Sequence, residues 1–215
     1  RPIELYYWPT PNGWKVSIAL EEMGLPYEMI PVNIGTGEQF KPEFLAISPN
    51  NRMPTIVDPD GPDGQSISVF ESGAILQYLA RKSGKFYGET ERDRVDIDQW
   101  VMWQMGGLGP MFGQLGFFHR FAGKDYEDKR PRDRYVAESK RLLGVLDGRL
   151  KDRDWLMDDY SIADIATIGW VRNLVGFYEA GEIVEYDRFK NVQAWLARAL
   201  DRPAVQRGLN IPARG

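Results

Sequence analysis

The sequence has 215 residues, 43% hydrophobic and 27% charged, with a net charge of −4; this is enough for one large domain or two modest ones, without the basic excess of a nucleic-acid binder. No apolar run approaches the roughly 18 residues that span a bilayer and no signal-peptide pattern opens the sequence, so we expect a cytoplasmic protein with no membrane partner. With no cysteine and one histidine, we expect no disulfide, no thiolate nucleophile and no metal site, so any sulfur chemistry must use a thiol that a ligand carries.

The N-terminal part predicts a β-α-β unit. Residues 3–8 are rich in aromatic side chains with partial alternation, which is typical of a strand. The apolar positions of residues 14–23 predict a helix that ends at Gly24, and residues 27–32 predict a second strand. Two strands joined through a helix are expected to be parallel, with a right-handed crossover.

A second group of elements completes a small α/β domain. Residues 55–58 and 67–70 predict a pair of short strands joined by a turn-rich connection, and residues 71–82 predict a helix. We therefore expect an α/β domain over residues 1–84. Its order is β-α-β-β-β-α, or β-α-β-α-β-β-α if residues 44–45 form a short helix.

Beyond a polar linker over residues 85–91, no strand pattern is strong. Helical periodicity covers residues 95–105, 135–150 and 189–200. The glycine-rich run 106–110 is expected to break or kink the first of these helices.

A local capping pattern predicts one more helix start. Ser161 and Asp164 have the spacing of a capping box, with Asp in place of the usual Glu or Gln. Tyr160 and Ile165 lie where a hydrophobic staple forms. Together with the periodic segments, this pattern predicts an all-helical domain over residues 92–215.

Two segments of the α/β domain suit a ligand. Pro54 opens a predicted strand, which can leave the carbonyl and amide around Met53 to face a ligand. Glu71 and Ser72 open a predicted helix and offer a carboxylate, a hydroxyl and unpaired backbone amides. Together these groups suit a peptide-like small molecule with charged ends.

The order of elements and three motifs resemble the cytosolic glutathione transferases over nearly the whole chain. The motifs are Met53-Pro54, the helix start Glu71–Ile75 and the box Ser161–Asp164. Three further segments are similar to the bacterial nu class of glutathione-dependent disulfide-bond reductases: Pro9–Gly13, Ile47–Asn51 and Trp103–Met111.

The resemblance implies a thioredoxin-like first domain and a homodimer with a glutathione site near the subunit interface. It implies that Pro54 is cis, that Met53 pairs its backbone with the cysteinyl backbone of glutathione, and that Glu71 and Ser72 bind the γ-glutamyl end. Five more residues are candidate glutathione contacts: Gln39, Asn51, Arg52, Gln104 (reaching from the partner subunit) and Arg134. For Gln39, Asn51 and Arg52 the alternative is a solvated loop side chain, and for Arg134 it is a surface salt bridge.

The glutathione thiol must ionise to react, and a free thiol has a pKa near 8.5. Lowering the thiol pKa by about two units takes about 2.7 kcal/mol. A charge-assisted hydrogen bond of about 1.5–3 kcal/mol, aided by about 0.3–1 kcal/mol from a helix N-terminus, suffices. Thr10 and Asn12 lie between the first strand and the first helix, where such a donor is expected, and Tyr7 is the rival candidate, with core packing as its alternative role.

The sequence therefore predicts an enzyme that uses glutathione, reduced or oxidised, for thiol–disulfide exchange with small disulfides, and that also acts on electrophiles. One alternative is a glutathione-dependent transferase that cleaves aryl ethers or removes halogens. The other is a regulatory protein on the same fold that binds glutathione without activating its thiol.

Overall fold

The computed structural model describes residues 1–212. The chain divides into two compact units: an α/β unit made of Arg1–Tyr87 and the segment from Arg202 onward, and a helical unit, Gly88–Asp201. The sequence-based boundaries place residues 202–212 in the second domain, whereas their contacts group them with the first. Residues 213–215, also predicted as part of the second domain, lie outside the described residues.

Four strands and nine α-helices form these units within residues 1–212. The strands are β1 (Ile3–Tyr7), β2 (Tyr27–Pro31), β3 (Thr55–Asp58) and β4 (Ile67–Phe70). The helices are α1 (Pro11–Met23), α2 (Pro42–Leu45), α3 (Ser72–Ser83), α4 (Glu91–Trp103), α5 (Gly109–His119), α6 (Arg130–Arg149), α7 (Ile162–Val175), α8 (Lys190–Leu200) and α9 (Pro203–Gly208).

The α/β unit contains one mixed sheet with the strand order β2-β1-β3-β4. β1 pairs with β2 in parallel and with β3 antiparallel, so Leu5 lies opposite Met29 on one side and Ile56 on the other. The predicted parallel pair is confirmed, and the presence of α2 selects the order β-α-β-α-β-β-α. Leu5 and Ile56 are fully buried and belong to the core of this unit.

Helix α1 begins and ends with local signals. The Thr10 hydroxyl accepts a hydrogen bond from the Gly13 amide at 3.2 Å, and Pro11 occupies the first turn. Gly24, with φ of 67°, ends the helix in the left-handed conformation that glycine adopts readily. Most of the helix is buried, because α3 and α9 pack against it.

A short helix that the sequence analysis did not predict, α9, begins at Pro203. The Ser17 hydroxyl donates to the Gly208 carbonyl at 2.6 Å, and a Cβ at Gly208 would lie 2.6 Å from the Ile18 Cα. Arg202 pairs with Glu22 at 2.7 Å. These contacts explain why the segment from Arg202 belongs to the α/β unit.

The glycine-rich run does not break the first helix of the helical unit. A π-helical turn, Gln104–Leu108, joins α4 to α5, and the backbone stays helical at Trp103 (φ −58°) and at Gly109 (φ −59°). A Cβ at Gly109 would overlap the Gln104 side-chain nitrogen. Glycine therefore allows a wider turn here rather than a break.

The predicted capping box at the start of α7 is confirmed. The Ser161 hydroxyl accepts from the Ala163 amide at 3.2 Å, and the Asp164 carboxylate accepts from the Ser161 amide at 3.1 Å. Of the helices formed by residues 1–212, none combines the length and hydropathy that a membrane span requires.

Candidate functional site

Sheet register brings the predicted ligand-binding segments to one end of the α/β unit. Tyr6 near the end of β1 lies opposite Thr55 at the start of β3, and Thr55 lies opposite Phe70 at the end of β4. The loop before α1, the loop before β3 and the N-terminus of α3 therefore meet at this edge.

Thr10 connects the first two of these segments. Its hydroxyl oxygen caps α1 by accepting from Gly13, and the same hydroxyl donates to the Met53 sulfur at 3.7 Å. The Thr10 hydroxyl is therefore a donor placed at the helix N-terminus and directed to the loop before β3.

The Met53-Pro54 peptide bond is cis, as expected. Within residues 1–212, no other backbone group bonds the amide or the carbonyl of Met53. Two hydrogen bonds hold the loop before Met53: the buried Ser48 hydroxyl donates to the Arg52 carbonyl at 2.7 Å, and the Asn51 amide donates to the Ser48 carbonyl at 3.0 Å. The backbone of Met53 can thus pair with an extended peptide-like ligand.

The N-terminus of α3 presents a strained residue and a buried hydroxyl. Glu71 is exposed, caps the helix without a side-chain hydrogen bond, and has φ of 68° and ψ of 112°. A non-glycine residue in this conformation stores about 1–3 kcal/mol of strain, and such residues cluster at binding sites. Ser72 follows and is 5% exposed.

Lys15 joins the N-termini of α1 and α3. Its ammonium donates to the Asn12 side-chain oxygen at 2.9 Å and to the Ser72 hydroxyl oxygen at 3.1 Å. The side chain is 1% exposed, and burial lowers the pKa of Lys15 to about 7 although the Glu71 carboxylate opposes the change. The sequence prediction missed this lysine, although it is three residues after Asn12 and therefore on the same helix face.

The other candidate residues on the loops are Gln39, Asn51 and Arg52. Asn51 has φ of 50°, and Arg52 is exposed and forms no ion pair with any residue of the described range 1–212. The Gln39 amide nitrogen donates to the Ile34 carbonyl at 3.3 Å, whereas its buried oxygen has no hydrogen-bond partner among those residues. These side chains offer an amide and a guanidinium to a ligand.

The two tyrosines of β1, Tyr6 and Tyr7, alternate in burial along the strand. Tyr7 is 1% exposed, and its ring lies within 3.0 Å of the position a Cβ would take at Gly13. Tyr6 is partly exposed and donates to the Glu4 carboxylate at 3.2 Å, and burial together with Glu4 raises the pKa of Tyr6. Tyr7 therefore packs beneath the start of α1.

The helical unit holds the two remaining candidates. Gln104 is fully buried in the π-helical turn, and neither its side-chain oxygen nor its nitrogen has a hydrogen-bond partner within residues 1–212. Arg134 is exposed and lines an open cleft along α6 together with Arg130 and Arg141. Those two arginines pair with Asp128 and Glu138, whereas no ion pair to Arg134 forms within the described range.

The arrangement suits an organic anion rather than a metal. Among residues 1–212, no group of three or more His, Asp or Glu side chains could hold a metal ion. The edge instead combines hydroxyl and amide donors, two helix N-termini and one buried ammonium, which together favour carboxylates and a thiolate.

Family models identify the class of this protein. The chain matches the glutathione S-transferase N-terminal domain over residues 1–81 and the glutathione S-transferase C-terminal domain over residues 109–203. The chain therefore belongs to the glutathione S-transferase family, and the resemblance inferred from the sequence motifs is confirmed.

Individual proteins of this family are similar to the chain over nearly its whole length. Disulfide-bond oxidoreductase YfcG of Escherichia coli (strain K12) is 45% identical over 209 residues, which covers 96% of this chain and 94% of that protein. A crystal structure of a Pseudomonas putida glutathione transferase with one glutathione disulfide bound per subunit is 60% identical, with a TM-score of 0.97 over 99% of this chain and 92% of that one. A Burkholderia graminis glutathione transferase with two glutathione molecules bound per subunit is 63% identical, with a TM-score of 0.97 over 100% and 90% of the two chains.

Proposed function

We propose that this protein is a glutathione-dependent thiol–disulfide oxidoreductase of the glutathione S-transferase family, which acts on small disulfides and, as secondary substrates, on electrophiles. One observation carries the proposal. The site places hydroxyl and amide donors at two helix N-termini, while the protein contributes no cysteine. The reactive sulfur is then that of bound glutathione, which relatives at 60–63% identity hold in crystals as the disulfide or as two molecules.

The backbone of Met53 and the N-terminus of α3 bind the peptide part of glutathione. The Met53 amide and carbonyl pair with the cysteinyl backbone. The Ser72 hydroxyl and the α3 amides bind the γ-glutamyl carboxylate, and the exposed Glu71 carboxylate binds the ammonium. These roles are supported by the Met53 amide and carbonyl, which no other backbone group within residues 1–212 bonds, and by the strained start of α3, which has no side-chain cap.

The other end of the ligand meets the loops. Gln39 and Asn51 bind its peptide groups, and Arg52 pairs with the glycyl carboxylate. Arg134 of the helical unit, which is exposed and has no ion-pair partner within residues 1–212, is a candidate for binding a carboxylate. We leave Gln104 out of these contacts, since it is fully buried in its own unit.

Asn12 and Thr10 activate the thiol. Each donates a hydrogen bond to the sulfur at the N-terminus of α1, so the thiolate is favoured over the thiol. The thiolate attacks one sulfur of a small disulfide, which forms a mixed disulfide and releases the other sulfur as a thiolate. A second glutathione thiolate then attacks the mixed disulfide, which yields glutathione disulfide and the second product thiol. Tyr7 ranks behind Asn12 and Thr10 because its ring is buried beneath the helix.

The decisive experiment compares disulfide reduction by the wild type with that by the double variant Asn12→Ala plus Thr10→Ala. Bis(2-hydroxyethyl) disulfide and glutathione serve as substrates. We expect the double variant to lose most of the rate while still binding S-methylglutathione in calorimetry. Equal rates would refute this mechanism, and a wild type that bound glutathione without lowering its thiol pKa would be a non-catalytic binding protein. Product analysis with aryl ethers and haloalkanes tests the alternative transferase activity.

We further propose that the protein works as a cytoplasmic homodimer. Val95 and Met102 are half-exposed and seven residues apart on α4, so they lie on one face of that helix. An apolar face of this kind is what a second copy of the chain would cover. Light scattering should report twice the monomer mass, and Met102→Glu should shift the protein toward the monomer.

A further inference from the structure

A buried cation lies directly behind the proposed glutathione contacts. Lys15 is 1% exposed, and its Nζ contacts Asn12 Oδ1 at 2.9 Å and Ser72 Oγ at 3.1 Å. One contact residue is on α1 and the other is at the start of α3, so a single ammonium connects the two helix N-termini.

The chemistry of the ammonium fixes the direction of both hydrogen bonds. A lysine ammonium has three donors and no acceptor. While Lys15 is charged, the atom of Asn12 that faces it must therefore be the side-chain oxygen, as in the structure, and this directs the two N–H groups of the amide away from the lysine. The Ser72 oxygen likewise accepts from Lys15, so the hydroxyl hydrogen of Ser72 must point to a different acceptor.

We propose that Lys15 is a positioning residue of the glutathione site, which orients the Asn12 amide and the Ser72 hydroxyl as donors toward the bound ligand. This inference rests on the proposed function. Asn12 then donates to the sulfur and Ser72 to the γ-glutamyl carboxylate. Without the lysine, the Asn12 amide can rotate and present its oxygen, which repels a thiolate.

Electrostatics supports the same role. Burial disfavours the ammonium of Lys15, and the Glu71 carboxylate before α3 acts in the opposite direction. Asn12 and Ser72 are neutral, so their two hydrogen bonds with Lys15 bring no opposite charge. A thiolate and a carboxylate bound at the neighbouring helix N-termini would stabilise the ammonium, and the ammonium in turn would stabilise them.

Lys15→Met tests the proposal because it keeps much of the length of the side chain and removes its donors. The readout is the pKa of bound glutathione, followed through the thiolate absorbance as the pH is raised. We expect Lys15→Met to raise this thiol pKa by about one unit and to lower kcat/KM for the disulfide at pH 7 by about 10- to 100-fold. The matched control is Lys85→Met, since the Lys85 ammonium donates to the Met23 carbonyl at 3.2 Å and not to a proposed ligand contact; this variant should behave as the wild type.

A double-variant cycle separates positioning from a general effect on folding. Because part of the effect of Lys15 acts through Asn12, Lys15→Met should cost less in kcat/KM when Asn12 is already alanine than it does in the wild type. Lys15→Gln keeps one donating group and should retain more activity than Lys15→Met, and it serves as the test variant if Lys15→Met does not fold.

The outcomes distinguish the two proposals. An active, glutathione-binding wild type whose thiol pKa is the same in Lys15→Met, or in Lys15→Gln if only that variant folds, would overturn the role of Lys15 alone. Additive losses in the cycle would do the same. A wild type that did not bind glutathione would instead overturn the proposed function.

Discussion

Each unit of the molecule buries a charged side chain, and the two differ in where their partners lie. Asp164 in the helical unit is fully buried and accepts from the Leu156 and Ser161 amides and from the Trp195 indole at 2.9–3.1 Å. Lys15 in the α/β unit bonds two side chains that belong to the proposed site. A buried charge enclosed by backbone and indole donors holds a fold together, whereas one bonded to ligand-binding side chains serves binding.

Burial shifts the pKa of the charged group in both units, upward for Asp164 and downward for Lys15. Burial raises the pKa of Asp164 to about 6 and lowers the pKa of Lys15 to about 7, so each group is moved toward its neutral form. The three donors around Asp164 oppose this effect but do not cancel it. We therefore expect stability and activity to separate cleanly when the two residues are changed in turn.

The largest expected effect is the loss of stability when Asp164 is replaced. Asp164→Ala should lower the free energy of unfolding by about 3–5 kcal/mol, because it leaves three buried donors without an acceptor and removes the capping box. Urea unfolding measures the change. The matched control is Asp158→Ala, whose carboxylate is 98% exposed and should matter by less than about 0.5 kcal/mol. Equal losses in the two variants would contradict a structural role specific to Asp164.

The next effect is on catalysis rather than stability. Asn12→Ala should lower kcat/KM for disulfide reduction by about 100-fold, which corresponds to about 2.7 kcal/mol, because a donor to the thiolate is lost. The unfolding free energy should change by less than about 1 kcal/mol. Asn210→Ala, at an exposed asparagine of the α/β unit, is the control. If Asn12→Ala lost as much unfolding free energy as Asp164→Ala, the role of Asn12 would be structural and the contrast between the two units would be wrong.

A third, smaller effect is a pH dependence of stability without ligand. The pKa of Lys15 is about 7 in the folded protein, against 10.5 for an unperturbed lysine, so the unfolded state binds more protons between these values. Stability should therefore rise with pH above 7, by about 2 kcal/mol from pH 7 to 9. This gain should be missing in Lys15→Met, and urea unfolding at a series of pH values measures the difference. Parallel curves for wild type and variant would show that Lys15 is not the group responsible.

The smallest effect concerns the cap of α1. Thr10→Ala should cost about 1 kcal/mol of stability, because the Gly13 amide loses its acceptor, and it should also slow disulfide reduction. Thr10→Ser keeps the hydroxyl and should restore both properties. Thermal unfolding and steady-state rates measured on the same samples check this, and a Thr10→Ser variant as impaired as Thr10→Ala would show that the methyl group, not the hydroxyl, matters.

Elements with local signals could be predicted from the sequence. Strands β3 and β4 are short apolar runs between proline and turn residues, and they occur where the sequence places them. The capping box at Ser161 is likewise a local pattern. The positions of Thr10, Asn12 and Ser72 at helix starts followed from the same kind of reasoning.

Features that depend on distant contacts could not be predicted in this way. Helix α9 packs on α1 through Ser17 and Gly208, which are 191 residues apart in the chain. Lys15 is buried although lysine is usually exposed, because its partner Ser72 comes from another helix. Strand alternation separates the faces of Tyr6 and Tyr7 but does not say which face is buried, and the burial of Gln104 depends on a close approach at Gly109.

The pairing of α9 with α1 has a consequence for how the chain is built. Topologically, the helical unit is an insertion within the α/β unit, whose last segment begins only at Arg202. Helix α1, which begins next to Thr10 and carries Asn12, is therefore covered at Ser17 and Ile18 by a segment that follows the whole helical unit in the sequence. A fragment that stops at Tyr87 would lack this cover and would expose Ile18 to water, although Ile18 is far from Gly208 in the sequence.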